Sequence, residues 1–365
     1  MLAAAGCASA TAGTSGTSGP SGPSRTSGTS AHGPANSAAA ITAAQASQAF
    51  TTYVATSAKA MRTDDRTLAL SVVTGVQQAV LSGELKGAAA AKGSAAAKSS
   101  AEYAYGTPTF YLPEPSGLPH FFVAAVTRSV KDSKAAEGAA ASVGGVPVPV
   151  DGRVLMLFQQ SASAGPWQLA STSQLPAGLT LPRLATDSNG YIPQVPLTST
   201  DLLAQPYATG PLQAAVVDDG PVSAAAKAVA AGPLTTGLYQ VARDRSGTGL
   251  QVPAGDIYQW DMLGTPYPAF ALRTADGGAL VLYAMYLNST VSTPGYINEA
   301  DPLNPGPPIA VPQQLSALLP AGQPTPRVDL EAQDLFSFAA IDPPAGATKI
   351  QVLAIGGDLD YAAAS

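Results

Sequence analysis

The stretch Gly106-Thr107-Pro108-Thr109-Phe110-Tyr111-Leu112 has a partial counterpart much later in the chain. There, Gly264-Thr265-Pro266 is followed by Tyr267-Pro268-Ala269-Phe270-Ala271-Leu272. In both places Gly-Thr-Pro leads into an aromatic and apolar run, a turn and a further apolar strand. Chance recurrence in a sequence rich in Gly and Pro is the alternative explanation. The shared order favours a duplication, with two copies of one structural plan.

The order of predicted elements in the first copy is helices and then strands. An apolar stripe at helical spacing predicts a helix over 41–61, and Asp64 or Asp65 then caps a second helix that includes Leu68, Val72, Val76 and Val80. Short aromatic or β-branched runs predict strands at 103–112, 121–130, 154–160 and 167–173. The segment 86–100 is predicted to be a frayed helix end or linker, and 131–150 a long connection.

The second copy repeats this order. Helices are predicted at 222–231 and 234–245, and strands at 258–263, 269–274, 279–287, 335–341 and 349–356. Asp276-Gly277-Gly278 is a strong hairpin signal. Asp218-Asp219-Gly220 and the segment 356–360 are predicted to be turns, the latter exposed to solvent, and 292–326 a Pro-rich loop.

The N-terminal segment has the features of an export signal. Met1-Leu2-Ala3-Ala4-Ala5-Gly6-Cys7 resembles a bacterial lipobox, in which the cysteine becomes the lipid-bearing first residue of the mature protein. The basic and long apolar parts of a signal peptide are missing, which indicates a start assigned too far downstream. Residues 8–37 are almost purely Ala, Ser, Thr, Gly and Pro, which predicts a disordered tether.

These observations divide the chain into five segments. They are a truncated signal and lipobox-like segment at 1–7, a disordered tether at 8–37, a first α+β module at 38–185, a linker at 186–200 and a second α+β module at 201–365. No later stretch is long and apolar enough to predict a membrane-spanning helix.

Composition narrows the function classes. The chain has 365 residues, 36 glycines, 32 prolines, 12% charged residues, a net charge of −6, two histidines and one cysteine. So few cations on an acidic chain argue against nucleic-acid binding. One cysteine excludes an internal disulfide or a Cys-rich zinc site, and we predict neither a metal nor a cofactor.

Two N-terminal helices followed by a bent antiparallel sheet resemble the cone of the nuclear transport factor 2-like superfamily. The strand containing Gly165-Pro166-Trp167-Gln168-Leu169 resembles the terminal strand of that fold. The whole plan resembles uncharacterised secreted lipoproteins of high-GC Gram-positive bacteria with two tandem modules. This resemblance implies an α+β fold with a pocket between helices and concave sheet in each module, and no particular reaction. An α+β sandwich of another topology is the alternative.

Catalytic motifs are sparse. The sequence contains no Gly-x-Ser-x-Gly elbow, no Ser-x-x-Lys pair and no Gly-Lys of a phosphate loop. His120, at the start of an apolar run, is one candidate general base. The second-module carboxylates Asp256, Asp261, Glu331 and Asp334 are the other candidates, including for glycoside hydrolysis.

Aromatic side chains are the better candidates for ligand binding, because Tyr and Trp combine a flat apolar body with a polar tip. The candidate ligand-binding residues are Tyr105, Tyr111, Phe121, Trp167, Tyr258, Trp260, Tyr267 and Tyr283. Core packing is the alternative for each of them. Tyr283 and Tyr286 are expected to face opposite sides of one strand.

The leading hypothesis is a non-enzymatic lipoprotein, anchored through Cys7 on the outer face of the cell membrane, that binds or scaffolds at the envelope. Its expected partners are the membrane, through the lipid, and a small molecule, glycan, lipid or envelope protein. The first alternative is a cone-fold hydrolase or isomerase with His120 or a second-module carboxylate as general base. The second alternative is a structural or interaction protein with filled cones.

Overall fold

Long antiparallel strands supply the framework of the fold. The computed structural model describes residues 41–90, 102–115, 117–131, 141–143, 146–148, 151–162, 164–244, 257–293, 308–320 and 325–365. The strands are β1 (Tyr103–Tyr105), β2 (Thr109–Tyr111), β3 (His120–Val130), β4 (Ala141–Val143), β5 (Val146–Val148), β6 (Gly152–Gln160), β7 (Gln168–Gln174), β8 (Ile257–Gly264), β9 (Phe270–Arg273), β10 (Ala279–Ser292), β11 (Asp329–Asp342) and β12 (Gln351–Ala364).

The longer helices precede the strands of the sheet in each half of the chain, and one short helix lies between β10 and β11. They are α1 (Ala43–Thr63), α2 (Arg66–Ser71), α3 (Gly75–Ala90), α4 (Thr209–Asp219), α5 (Thr236–Asp244) and α6 (Gln313–Ser316). Short 3-10 helices occupy Pro206–Ala208 and Ala224–Lys227. The chain is therefore a mixture of helices and antiparallel sheet, and the predicted α+β class is confirmed.

Local sequence explains where the first helices begin. Thr42 and Gln45 form a reciprocal capping box at the start of α1, where the Gln45 amide donates to the Thr42 hydroxyl at 3.2 Å. Asp65 caps α2 by accepting from the Leu68 amide at 2.9 Å. Asp64 ends α1 with a left-handed backbone, at φ 49°. The predicted capping role is thus confirmed for Asp65.

Ten strands of the described chain form one sheet, in the order β1-β3-β6-β7-β12-β11-β10-β8, with β2 beside β3 and β9 beside β10. From its outer edge inward, the first half has the order β1-β3-β6-β7, and the second half has the order β8-β10-β11-β12. The two halves therefore follow the same plan. The halves join where β7 meets β12, through the antiparallel pair Gln174 and Ile355. Residues 38–365 form one compact unit that contains both predicted modules.

A parallel β-bridge at the start of the last strand also recurs in both halves. Val73 forms a parallel bridge with Leu169 of β7, and Val229 forms one with Ile350 beside β12. Each bridge carries two backbone hydrogen bonds, of 2.9 and 3.0 Å in the first half and 2.7 and 2.8 Å in the second. In each half this bridge ties the helical segment to the final strand of the sheet.

Three apolar clusters organise the packing. A first-half core packs α1 against β3, β6 and β7, and it includes Phe50, Phe122 and Phe158. A second-half core packs α4 and α5 against the other end of the sheet. A central core holds the sheet surfaces of the two halves together, and in it the rings of Phe121 and Phe270 have their centroids 4.3 Å apart. The alternation of β3 explains this arrangement, since Phe121 and Phe122 point to opposite faces.

The second helix was predicted as one continuous helix, and this prediction is wrong because the structure divides it into two. Val72, Val76 and Val80 have helical spacing, yet α2 ends at Ser71 and α3 begins at Gly75. The intervening backbone instead bonds to Leu169, which interrupts the helix. The predicted strand at 103–112 is likewise two strands, β1 and β2, which pair separately with β3.

The helix predicted at 222–231 is also wrong. Val222 is 90% exposed, and only Ala224–Lys227 forms a helical turn before the Val229 bridge. Helix α4 was not predicted from the sequence, and it carries Pro211 in its first turn, where proline is well tolerated. The turn predicted at Asp218-Asp219-Gly220 is the C-terminal end of α4, with Gly220 at φ 82°.

The turn predicted at 356–360 is wrong, because this segment lies inside β12. A Cβ atom at Gly356 would lie 1.8 Å from the Thr172 carbonyl oxygen. Glycine here permits close approach of the backbones of β12 and β7, and this approach forms the junction between the two halves. The predicted hairpin at Asp276-Gly277-Gly278 is confirmed, and it joins β9 to β10 with Gly277 at φ 89°.

Candidate functional site

The aromatic residues singled out by the sequence lie in five separate apolar clusters. Trp260 and Tyr283 belong to the second-half core, Tyr111 and Phe121 to the central core, and Tyr105 and Trp167 to the first-half core. Tyr258 and Tyr267 lie in two smaller clusters. The fold therefore does not gather these eight residues into one binding surface. Their role as ligand contacts stays a prediction.

Two of them, Tyr267 and Tyr283, line a small pocket between the halves. Gly75 and Val76 at the start of α3 close one side, and Ser171 and Ser337 contribute hydroxyl groups to the wall. The cavity volume is about 20 Å³, which is room for about one water molecule. This pocket is far below the roughly 300 Å³ that a small-molecule site usually provides.

Tyr283 is held as a structural residue. Its hydroxyl donates to Oε1 of Gln213 at 2.7 Å, and Nε2 of Gln213 donates to the Leu234 carbonyl at 2.8 Å. Burial raises the pKa of Tyr283 above its ordinary value. Tyr286 lies against α3 in another cluster, which confirms that the two tyrosines face opposite sides of β10.

Tyr105 leads to a second and more polar site. In the first-half core its ring packs edge-on against Phe50 at 5.8 Å, and its hydroxyl is hydrogen-bonded to that of Tyr53 from α1. Burial raises the pKa of both phenols, and the nearby positive charge of Arg128 partly offsets this for both. Tyr105 and Arg128 are direct cross-strand partners in β1 and β3.

The direct contacts of Arg128 are with neutral side chains. Its Nη2 atom donates to Oε1 of Gln174 at 2.6 Å, and its guanidinium carbon lies 4.3 Å from the centroid of the Tyr103 ring. Among the described residues, no carboxylate lies within 4 Å of it to form an ion pair. The position follows from the period of β3, because Phe122, Ala124 and Val126 lie on the face that packs against α1 and Arg128 continues that face.

Two donors at this point have no hydrogen-bond partner within the described structure. They are the Nε atom of Arg128 and the Nε2 atom of Gln174, and both are buried. Gln174 is only 5% exposed. Buried donors are almost always satisfied in folded proteins, so this unsatisfied pair distinguishes the site from the rest of the interior.

Three carboxylates on α3, β11 and β12 have raised pKa values. The register pairs Asp334 with Leu359 and Leu335 with Asp358, so Asp334 and Asp358 lie on opposite faces of the sheet. Glu84 of α3 and Asp358 of β12 keep substantial exposure, while Asp334 of β11 is half-buried. Surrounding protein nevertheless raises the pKa of Glu84 to about 7 and that of Asp334 to about 7, with the charge of Asp358 adding to both shifts. The Arg128 charge acts in the opposite direction on the pKa of Glu84. Burial likewise raises the pKa of Asp358.

We call this set the Arg128 cluster, and it consists of Tyr53, Glu84, Tyr105, Arg128, Gln174 and Asp358. It combines a cation and two unpaired buried N–H donors with two exposed carboxylates. Glu84, whose pKa is raised to about 7, can exchange protons at neutral pH.

The other predicted catalytic residues lie elsewhere. His120 is half-buried at the start of β3, opposite Gln160. It precedes Arg128 by eight residues, which corresponds to about 26 Å along a strand. Asp261 and Glu331 are exposed. Asp256 and Cys7 lie outside the described residues, so catalysis by the first and lipidation of the second stay predictions.

The sequence predicts only part of the Arg128 cluster. Tyr105 is a predicted binding residue, whereas Arg128, Gln174 and Glu84 are not predicted as site residues. One signal was available, since a charged residue at Arg128 continues the apolar alternation of Phe122, Ala124 and Val126. Gln174 and Glu84 carry no such signal.

The described residues include neither a metal-binding group nor a membrane-spanning helix. Within the ranges that the structure covers, no three His, Cys, Asp or Glu side chains are grouped to hold a metal ion. In the same ranges, no helix combines the length and the apolar character needed to cross a membrane.

Comparison with known proteins defines the family. The chain belongs to the family described as Domain of unknown function (DUF8094), whose profile matches residues 37–359. A relative is the uncharacterised lipoprotein SCO2278 of Streptomyces coelicolor, which is 27% identical over 225 residues. That match covers 62% of this chain and 60% of the relative, so the chain matches less than two thirds of the relative's length. No solved structure matches the chain.

Proposed function

We propose that this protein is a lipoprotein of the bacterial envelope, anchored through Cys7 on the extracytoplasmic side and carrying a non-catalytic binding or scaffolding unit at residues 38–365. The observation that carries the proposal is the Gly6-Cys7 site after small residues, together with a relative named as a lipoprotein. Residues 8–37 would act as the spacer between membrane and folded unit. Arg25 is the only Lys or Arg in that spacer, so the lipid itself would provide the membrane contact.

Palmitate labelling tests the anchor. The chain is expressed from its native locus, as the wild type and as the variants Cys7→Ala and Ser9→Ala. We expect label and membrane association in the wild type and in Ser9→Ala, and neither in Cys7→Ala. Label that persists in Cys7→Ala would rule out anchoring at this residue.

The binding role is supported by how the interior is used. Aromatic side chains fill the space between α1 and the first half of the sheet, and Tyr283 and Trp260 do so in the second half. The Arg128 cluster combines two unpaired buried donors with solvent-exposed carboxylates. Binding at this cluster therefore explains more of the observations than a ligand deep inside either half. Completely filled cones, with interactions only at the surface, remain the structural alternative.

We also infer that the two halves arose as tandem copies of one cone-like module. The matching strand order and the matching bridges at Val73 and Val229 support this inference. A crystal structure in which β7 and β12 join the halves through Gln174 and Ile355 would agree with it. Different strand connections in the two halves would contradict it.

A second candidate function is acid–base catalysis at Asp334. The observation in its favour is the pKa of Asp334, which burial raises to about 7. A panel of ester and glycoside substrates tests it. Turnover by the wild type that is lost in Asp334→Asn and retained in Asp261→Asn would favour the enzyme. Absence of turnover across the panel favours the binding role.

A further inference from the structure

We propose that the small pocket between the two halves binds one monatomic anion of the size of chloride, at the N-terminus of α3. Gly75 and Val76 of α3, Gln159 of β6 and Ser171 of β7 line this pocket. The site is separate from the Arg128 cluster and from Cys7. The inference therefore stands independently of the proposed anchor.

The start of α3 supplies the attraction for an anion. The first amide groups of an α-helix have no acceptor within the helix, and they carry a partial positive charge. The side chains of Thr42 and Asp65 satisfy such amides at the starts of α1 and α2. At the start of α3, the amides of Gly75 and Val76 make no hydrogen bond within the described part of the chain. A helix terminus of this kind favours a negatively charged ligand.

Gln159 is a second and independent feature of the pocket. Its side chain is only 7% exposed, and its amide has no hydrogen-bond partner among the residues that the structure describes. Its Oε1 atom lies 3.8 Å from the position that a Cβ atom would take at Gly75, so the end of the side chain faces the start of α3. A half-turn of the amide plane places Nε2 there instead, as a donor to an anion.

The remaining wall of the pocket is neutral. Ser171 is 9% exposed, and its hydroxyl is free to donate, since it too has no partner in the described ranges. The hydroxyl of Ser337 is already committed, because it donates to the Thr172 carbonyl at 2.9 Å. None of the residues that line the pocket is Asp or Glu, so no carboxylate of the wall repels an anion.

The size of the pocket restricts the ligand to a single atom or a water molecule. Its volume is about 20 Å³, which is too small for a carboxylate or a phosphate. Water brings no net charge to the positive end of α3, whereas a monatomic anion does. Because Gln159 and Ser171 belong to the first half and Tyr267 to the second, a bound anion would also tie α3 to the junction of the halves.

Thermal unfolding of the full-length chain tests the proposal in solution. The midpoint is measured in sodium chloride and in sodium gluconate, at equal pH and equal ionic strength. We expect a midpoint about 2 °C or more higher in chloride, because an ion that binds only the folded state stabilises it. Equal midpoints in the two salts would overturn the proposal.

Variants of Gln159 then locate the effect. Gln159→Glu places a carboxylate oxygen where the anion would lie, and Gln159→Leu removes the donor. We expect both variants to lose the difference between the two salts. Gln259→Leu, at an exposed glutamine of β8, is the matched control and should keep the difference. A chloride dependence that is unchanged in folded Gln159→Glu would contradict the assigned site.

A crystal of the wild type grown in bromide gives a readout that does not depend on any variant folding. We expect an anomalous peak within hydrogen-bond distance of the amide of Gly75 or Val76. A water molecule at that position, without an anomalous signal, would overturn the proposal. So would a bromide peak without any chloride dependence in solution, which would indicate an adventitious ion only.

Discussion

Nη2 of Arg128 donates a hydrogen bond of 2.6 Å to Oε1 of Gln174, and this bond joins β3 to β7 at the buried end of a polar cluster. The two side chains come from strands that are separated by β6 in the sheet. Their contact therefore spans three strands on the face that also carries α1. The bond holds the Arg128 guanidinium in place, and no carboxylate of the described residues forms an ion pair with it.

The first prediction concerns this bond. Gln174→Leu removes the acceptor and leaves the charge of Arg128 less well satisfied, so we expect a loss of about 1–2 kcal/mol in the free energy of unfolding. Urea denaturation monitored by circular dichroism measures it. Gln351→Leu, on the exposed side of β12, is the control and should change stability little. An unchanged midpoint in Gln174→Leu would mean that the bond contributes nothing.

The second prediction concerns the junction between the halves. Gly356→Ala would place a methyl group 1.8 Å from the Thr172 carbonyl oxygen, so β12 and β7 must move apart. We expect destabilisation of about 1–3 kcal/mol, the usual range for overpacking. Gly264→Ala is the matched control, because a Cβ there meets nothing within 4 Å. Equal stability of the two variants would argue against a close junction at Gly356.

The third prediction is a pH dependence of stability. The pKa of Asp334 is raised to about 7 in the folded protein, above its ordinary value of 3.8. The folded state therefore binds a proton more tightly than the unfolded state, and stability falls as pH rises from about 4 to about 7. Asp334→Asn should remove this loss. The free energy of unfolding of the variant minus that of the wild type should therefore be about 1–3 kcal/mol larger at pH 8 than at pH 5, after allowance for solvent screening.

Denaturant unfolding at pH 5 and pH 8 measures the effect. Asp261→Asn is the control, since Asp261 is exposed on β8. Glu84 has a raised pKa as well, so part of the pH dependence should remain in Asp334→Asn and disappear further in the double variant with Glu84→Gln. A wild type that is equally stable at both pH values would contradict the raised pKa values of these carboxylates.

The fourth prediction concerns the second-half core. Tyr283→Phe leaves Oε1 of the fully buried Gln213 without its donor. We expect a cost of about 1–3 kcal/mol, the penalty for an unsatisfied buried acceptor. Tyr207→Phe, at a tyrosine that is 55% exposed, should be nearly neutral in the same thermal or urea experiment. A neutral Tyr283→Phe would show that water replaces the lost bond.

Much of the local structure was accessible from sequence. Short aromatic or β-branched runs predicted the strands at β3, β6 and β10, and the apolar stripe predicted α1. Local capping residues fix where the helices begin, as Thr42 does for α1 and Asp65 for α2. What could not be predicted is how the strands of the two halves pair. Gln174 and Ile355 carry no sequence mark as partners, and the role of Gly356 appears only when Thr172 lies against it.

The site was less predictable than the fold for the same reason. Tyr105 was chosen for its chemistry, but its partners come from separate elements: Tyr53 from α1, Glu84 from α3 and Gln174 from β7. Tertiary contacts also overrode helical spacing between Val72 and Val76, where the bridge to Leu169 interrupts the helix. Periodicity describes one element at a time, whereas this cluster depends on how six elements meet.

The most direct test of the account is mass spectrometry of the protein isolated from its native membrane. We predict an N-terminal peptide that begins at Cys7 and carries a lipid on its sulfur. A peptide with unmodified Cys7 inside a longer N-terminus would contradict the assignment of this protein as an anchored lipoprotein.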